Sequence, residues 1–83
     1  MKRYKSMLYR GTLRERKREG NGILTYASGR LYEGGWHDDK RTGRGFELFS
    51  NGSKYIGNYV NNKPHGKGVF SWVNGEIYDG DWV

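Results

Sequence analysis

The sequence predicts an all-β repeat protein built as a continuous antiparallel meander. Tyrosines recur at a fixed step of 23 residues, at Tyr9, Tyr32, Tyr55 and Tyr78. Glycines keep the same phase, and Ser-Gly or Asn-Gly closes each unit at residues 28–29, 51–52 and 74–75. A constant period of this length indicates a repeat architecture, and Asn-Gly is typical of β-hairpin turns. We therefore expect hairpins that follow one another in chain order.

The period divides the 83 residues into a lead-in and an array. Residues 1–8 form a basic lead-in before the first clear repeat. Complete repeats are predicted at 9–31, 32–54 and 55–77, and a partial repeat at 78–83. An array that stops within a unit is expected to belong to a longer protein.

Each repeat contains two predicted strands, and the second repeat shows them best. Alternation over residues 31–36 places Tyr32 and Trp36 on one face of the first strand. Residues 37–42 have no apolar side chain and are predicted to form a polar connection. Residues 45–49 are predicted to form the second strand.

The Asn51-Gly52 step is predicted to be a two-residue turn, because both central residues of such a turn take positive φ. That turn sets the expected pairs: Phe49 with Lys54, Leu48 with Tyr55, and Phe46 with Gly57. The Phe46 ring would then cover the bare backbone of Gly57. Glycines after the polar connection are predicted to allow a bend or bulge, at Gly43/Gly45 and Gly66/Gly68.

The combined motif resembles the MORN repeat (membrane occupation and recognition nexus). It consists of Tyr-x-Gly-x-Trp, a polar segment with Lys, Gly-x-Gly, an aromatic residue and Asn-Gly, and it covers residues 9–82. Repeats two and three fit best, whereas repeat one has Leu13 where an aromatic residue is usual. The resemblance implies an elongated, single-layer, twisted sheet of stacked hairpins with a shallow groove on one side.

The residues do not suggest catalysis, a metal or a cofactor. The chain has no cysteine, which excludes disulfides and thiolate metal sites and favours a cytoplasmic location. His37 and His65 occupy different repeat positions and are expected to be solvated loop residues. The Asp38-Asp39 pair has no sheltered pocket to separate its pKa values. We therefore predict no catalytic residue, no metal site and no bound cofactor.

The net charge of +6 lies at one end of the chain. Residues 1–19 hold eight basic and two acidic side chains, and the remaining residues are neutral overall. The basic residues are Lys2, Arg3, Lys5, Arg10, Arg14, Arg16, Lys17 and Arg18. They could bind an acidic membrane, at ~1 kcal/mol for each basic residue near its surface. The alternative is a solvated loop whose charge discourages pairing at the sheet edge.

The aromatic residues form rows that suggest a binding groove. The predicted partner-binding residues are Trp36, Tyr59, Trp82, Tyr32, Tyr55 and Tyr78. The structural alternative is that most of them form the core. Two repeat positions are aromatic: Trp36, Tyr59 and Trp82 occupy one, and Tyr26, Phe49 and Trp72 occupy the other. A single-layer sheet has no second layer to cover both faces, so some aromatic rows are expected to stay half exposed. Exposed Trp and Tyr are common interaction hot spots.

The first functional hypothesis is a non-catalytic protein–protein interaction scaffold whose groove receives an extended or helical segment. The resemblance implies cytoskeletal, ciliary or membrane-junction assemblies. One alternative is a peripheral membrane module that binds acidic phospholipid through the basic N-terminus. Another is an accessory domain, because MORN repeats also precede lipid kinase and lysine methyltransferase domains. Nucleic acid is not favoured, since the repeat body is neutral, and an unpaired edge near the C-terminus would allow edge-to-edge self-association.

Overall fold

The computed structural model describes residues 2–3 and 6–83, with side chains from residue 6 onward. These residues form eight antiparallel strands in one sheet, and the order across the sheet is the order along the chain. The strands are β1 (Lys2–Arg3), β2 (Met7–Arg14), β3 (Lys17–Tyr26), β4 (Leu31–His37), β5 (Lys40–Leu48), β6 (Lys54–Val60), β7 (Lys63–Ser71) and β8 (Ile77–Trp82). The molecule measures 39 × 25 × 14 Å along its principal axes, and the short third dimension is that of a single layer. The predicted all-β, single-layer meander is confirmed.

Each repeat turns tightly in its middle, where the sequence predicted a longer polar connection. Asp38 and Asp39 have φ of 51° and 69°, so both central residues are left-handed, as a type I′ turn requires. β4 therefore ends at His37 and β5 already begins at Lys40. The prediction that 37–42 is a connection is therefore wrong for residue 37 and for residues 40–42. These polar residues lie in a strand because the rim of a single-layer sheet is solvated and needs no apolar side chains.

The turn between repeats is longer than predicted. The Gly52 N–H donates to the Phe49 carbonyl at 2.9 Å, and the Phe49 N–H donates to the Ser53 carbonyl at 2.8 Å. Gly52 has φ of 94°, so the loop is a three-residue turn that ends in a left-handed glycine. The prediction of a two-residue turn at Asn51-Gly52 is wrong.

This extra loop residue changes the register between β5 and β6 by one position. The observed pairs are Leu48 with Lys54, Glu47 with Tyr55, Phe46 with Ile56 and Gly45 with Gly57. The predicted pairs of Phe49 with Lys54, Leu48 with Tyr55 and Phe46 with Gly57 are therefore wrong. Phe46 lies on the face opposite the tyrosine rings, because it alternates with Glu47 along β5.

Aromatic rings do cover the strand glycines, but the rings are tyrosines. A Cβ atom built on Gly45 would lie 2.5 Å from the Tyr32 hydroxyl. That hydroxyl donates to the Gly35 carbonyl at 2.9 Å, which holds the ring flat across the strands. The predicted bend at Gly43 is confirmed, because the β4–β5 register shifts just beyond Gly34 and Gly43 has φ of 77°.

The core lies on one side of the sheet, which we name the aromatic face. Its buried residues are Tyr9, Leu24, Tyr32, Trp36, Tyr55 and Tyr59. The other side, named the opposite face, carries the alternate residues of each strand. The two faces of the sheet thus carry different side chains, and each has its own candidate interactions.

Candidate interaction surfaces

Seven aromatic rings form a zigzag ladder along the aromatic face. Successive centroids are 5.1 to 5.7 Å apart and the planes meet at 84° to 89°, the edge-to-face geometry that aromatic pairs favour. The ladder runs Tyr9, Trp36, Tyr32, Tyr59, Tyr55, Trp82, Tyr78. Three of the tyrosines at the start of a repeat are thereby covered by a ring of the following repeat: Tyr9, Tyr32 and Tyr55.

The six predicted groove residues all belong to this ladder. Four are buried in the core: Tyr32, Trp36, Tyr55 and Tyr59. Trp82 is half-buried, and Tyr78 is 42% exposed. Their role in partner binding stays a prediction, but only Tyr78 and Trp82 present side-chain surface to a partner.

The sequence pattern does not specify which aromatic row stays exposed; in the structure the row of Tyr26, Phe49 and Trp72 is partly exposed and supplies a cluster. Phe49 and Phe70 have centroids 5.5 Å apart, and Phe70 lies 4.5 Å from Trp72. Trp72 is 43% exposed. We name Phe49, Phe70 and Trp72 the exposed aromatic cluster. It lies beside the buried ladder, since Phe70 also lies 6.1 Å from Trp82.

Arginines cover much of the rest of the aromatic face. The Arg18 guanidinium lies 4.4 Å from the Trp36 ring, and Arg41 lies 5.7 Å from both the Tyr32 and Tyr59 rings. Arg30 lies over Tyr26 at 5.2 Å and reaches Phe49 at 5.4 Å. These are cation–π distances. Within the described residues, no guanidinium is found over Phe70 or Trp72.

Glu47 is a buried acid that the sequence analysis missed. It occupies the repeat position of Leu24 and Phe70 and is 2% exposed. Arg30 Nε donates to it at 2.6 Å, Arg41 at 3.1 Å and the Tyr59 hydroxyl at 2.7 Å. The visible signal was an acidic residue in an apolar phase of the repeat.

Burial also changes the acidity of the core tyrosines. Loss of water raises the pKa of Tyr32 to about 12. The pKa of Tyr59 is raised as well, first by burial and then by its hydrogen bond to the Glu47 carboxylate. Both hydroxyls therefore remain protonated well above neutral pH.

The basic N-terminal residues are only partly available for an anionic ligand. Lys17 Nζ lies 2.8 Å from Asp38 and Arg18 Nε lies 2.6 Å from Asp39, so two cations already hold carboxylates. The hydrogen bond to Asp38 raises the pKa of Lys17. Arg10 and Arg14 are exposed, and Arg16 lies in the first turn. Lys5 and the side chains of Lys2 and Arg3 lie outside the described residues.

Both histidines are exposed, but they are strand residues, so the prediction of loop positions is wrong. His37 ends β4 and His65 lies in β7. His37 Nδ1 lies 2.8 Å from the Glu19 carboxylate, and this contact lowers the pKa of Glu19. Across the described part of the chain, no group of three or more acidic residues or histidines is arranged to hold a metal ion.

The opposite face carries an apolar row that sequence reasoning also missed. Phe46, Ile56 and Val69 are consecutive cross-strand partners in β5, β6 and β7. Ile23 continues the row in β3, and Ile56 is 45% exposed. The signal was present, because Ile23, Phe46 and Val69 recur at the 23-residue step directly after Gly-x-Gly.

Comparison with protein-family models decides the family. The MORN repeat model matches three consecutive stretches, residues 9–29, 32–54 and 55–77. The chain belongs to the MORN-repeat family. MORN repeats generally mediate contacts of proteins with other proteins or with membranes. A comparison with curated proteins gave no match. In the portion that the structure describes, no helix has the length and apolar character to cross a membrane.

Proposed function

We propose that this MORN array is a non-catalytic protein–protein interaction scaffold. Its proposed binding site is the exposed aromatic cluster of Phe49, Phe70 and Trp72, which would receive an extended or helical segment of a partner protein. The observation that carries the proposal is the 43% exposure of Trp72 in direct contact with Phe70. A large aromatic side chain left in water beside other rings is typical of an interaction surface.

The surroundings of the cluster support this choice over the rest of the aromatic face. Arg18, Arg30 and Arg41 already cover the rings of Trp36, Tyr26 and Tyr32. A partner would have to displace these guanidiniums to reach those rings. Phe70 and Trp72 offer their rings directly, so binding there requires less rearrangement of the free protein.

The experiment compares two single substitutions in the same hairpin. Trp72→Ser removes the proposed hot spot, whereas Val73→Ser changes a neighbour that is 67% exposed but lies in the loop. The immobilised wild-type chain and both variants would be exposed to cell extract, and the retained proteins quantified by mass spectrometry. A lost hot spot of ~2 kcal/mol weakens binding roughly 30-fold.

The proposal requires that the two variants retain different amounts of the partner proteins. Proteins retained by the wild type and by Val73→Ser should be depleted on Trp72→Ser, while circular dichroism shows that all three chains keep the same β spectrum. If Trp72→Ser retains the same proteins in the same amounts, the aromatic cluster is not the binding site.

A peripheral membrane module is the second proposal, and the concentration of charge at the N-terminal end favours it. Arg10 and Arg14 are two exposed cations at that end that could bind acidic headgroups. Vesicles that contain acidic phospholipid should then retain the chain at low salt and release it as salt screens the attraction. Replacement of Arg10 and Arg14 by Gln should abolish retention. Equal binding to neutral vesicles would contradict the proposal.

The cellular setting is proposed from the family. A scaffold of this kind would act in the cytoplasm, in a cytoskeletal, ciliary or membrane-junction assembly. The same array would serve equally as the accessory part of a larger enzyme, such as a lipid kinase or lysine methyltransferase. In either setting the array supplies contacts and no catalytic group, and it has no proposed cofactor.

A further inference from the structure

The apolar row of the opposite face lies across the middle of the sheet. Ile23, Phe46, Ile56 and Val69 belong to strands β3, β5, β6 and β7, and Leu48 lies beside them in β5. Within the described residues, no other element packs over this face. A sheet with an apolar face is ordinarily stabilised by a second layer.

Two pairs of oppositely charged residues on this face lie symmetrically about β5. Arg10 pairs with Ile23 and so begins the row in β2, whereas Asp79 pairs with Val69 and ends the row in β8. Closer to the centre, Glu33 lies in β4 and Lys54 lies in β6. Arg10 and Asp79 are thus each three strands from β5, and Glu33 and Lys54 are each one strand from it. The same face also carries Arg44 in β5 itself and the Lys67–Asp81 ion pair between β7 and β8.

We infer that the opposite face binds a second copy of this chain, related by a two-fold axis parallel to β5. This operation brings β2 over β8 of the second copy and β4 over its β6. Arg10 then faces Asp79 of the second copy, and Glu33 approaches its Lys54. Phe46 meets Phe46 near the axis, so the apolar rows cover each other and the charges are paired at both ends.

The size of the face also favours a second sheet. It measures 39 × 25 Å, which matches the ~800 Å² that each partner buries in a stable complex. Two such sheets would pack ~10 Å apart. A single helix is only about 10–12 Å across and would leave more than half of the shorter dimension uncovered.

The proposed dimer uses the opposite face, whereas the proposed partner site lies on the aromatic face. An experiment that contradicts one of these proposals therefore leaves the other unaffected. The first measurement is sedimentation equilibrium of the full chain over micromolar to millimolar concentrations. We expect a mass that rises from 9.6 kDa to twice that value. Ile56→Asp should remove dimerisation, and the control Val73→Asp should not. Circular dichroism would show that both variants remain folded.

The second measurement tests the orientation by exchange of charge. Arg10→Asp places two like-charged pairs in the dimer, and so does Asp79→Arg. Each variant should dimerise about tenfold more weakly than the wild type. An equimolar mixture of the two should dimerise as well as the wild type, because every pair is again of opposite sign.

Several results would overturn the inference. If the wild-type chain is still monomeric at ~1 mM, it has no such interface, because a dissociation constant above ~1 mM means a binding free energy weaker than about −4 kcal/mol. A dimer that survives Ile56→Asp uses another surface, such as a strand edge. If the mixture of charge variants is no better than either variant, the copies are not related by this axis.

Discussion

The packing of tyrosine rings on strand glycines can be tested by adding one methyl group. A Cβ atom at Gly68 would lie 2.5 Å from Cε1 and Cζ of Tyr55, where ordinary contacts are 3.4 to 4 Å. The overlap is therefore about 1 Å. The ring cannot swing away freely, because its hydroxyl donates to the Asn58 carbonyl at 2.9 Å. Gly68 is not among the glycines with positive φ, so the effect of Gly68→Ala is steric.

The expected cost is large for a chain of this size. Overpacking alone costs ~1–3 kcal/mol, and loss of a buried aromatic ring costs ~3–5 kcal/mol. We therefore expect Gly68→Ala to lower the free energy of unfolding by about 3 kcal/mol. The matched control is Gly43→Ala, where φ is 77° and nothing lies within 4 Å of the added Cβ. Its backbone cost is ~1–2 kcal/mol.

Urea unfolding, followed by circular dichroism and tryptophan fluorescence, gives both free energies. A double-mutant cycle with Tyr55→Ala should show a coupling of ~1–3 kcal/mol, because the methyl group does little harm once the ring is gone. The reasoning is refuted if Gly68→Ala costs no more than Gly43→Ala, or if the two substitutions are additive.

Three further predictions concern the polar contacts of the aromatic face. Glu47→Ala should destabilise by ~3 kcal/mol in urea unfolding, because Arg41, 16% exposed, would lose its carboxylate; a cost below ~1 kcal/mol would contradict this. Stability should fall as pH rises from 10 to 12, since the unfolded chain loses tyrosine protons near 10 while the pKa of Tyr32 is about 12. With screening, ~1–2 kcal/mol should disappear over that interval, and a flat profile of unfolding against pH would disprove it. Arg18→Ala should cost ~1 kcal/mol, with coupling to Asp39→Asn in a double-mutant cycle; strictly additive effects would show that their contact does not contribute.

The architecture could be predicted from the sequence because the repeat provides several independent copies of each signal. Alternation around Tyr32 and Trp36 identified the buried face, and the recurrence of the motif identified the single-layer meander. Loop lengths could not be predicted in the same way. Asn-Gly suits both a two-residue turn and the left-handed end of a three-residue loop, and the structure has the latter at Asn51-Gly52.

The tight turn was missed because its residues give a weak signal. Asp38-Asp39 takes positive φ at both positions, and so does Glu15-Arg16. Glutamate and arginine are not among the residues enriched at positive φ, and a pair of aspartates without glycine is a weaker turn signal than Asn-Gly or Asp-Gly. The surrounding ladder imposes it, because a type I′ turn has the twist of the strands it joins. A single short pair of polar residues does not carry that tertiary information.

The candidate surfaces were harder to predict than the fold for a related reason. Periodicity shows which residues share a face, but it does not show which rings are covered. Trp36 and Trp72 are the same residue type, and each occupies a position that is aromatic in a neighbouring repeat. One is buried under Arg18, and the other is exposed. The difference depends on contacts from neighbouring repeats, such as that of Arg18 from the repeat before Trp36, which only the assembled sheet contains.

The strict order of the strands has a consequence for how quickly the chain reaches this fold. Every strand in the described sheet pairs with its neighbours in sequence, and no strand must wait for a distant segment. The side-chain links between repeats, such as Arg18 to Asp39 and Trp36 to Gly22, span 14 to 21 residues. Loop closure over such short distances costs little entropy. Folding should therefore begin at any hairpin and spread to both sides, at a rate high for an all-β protein.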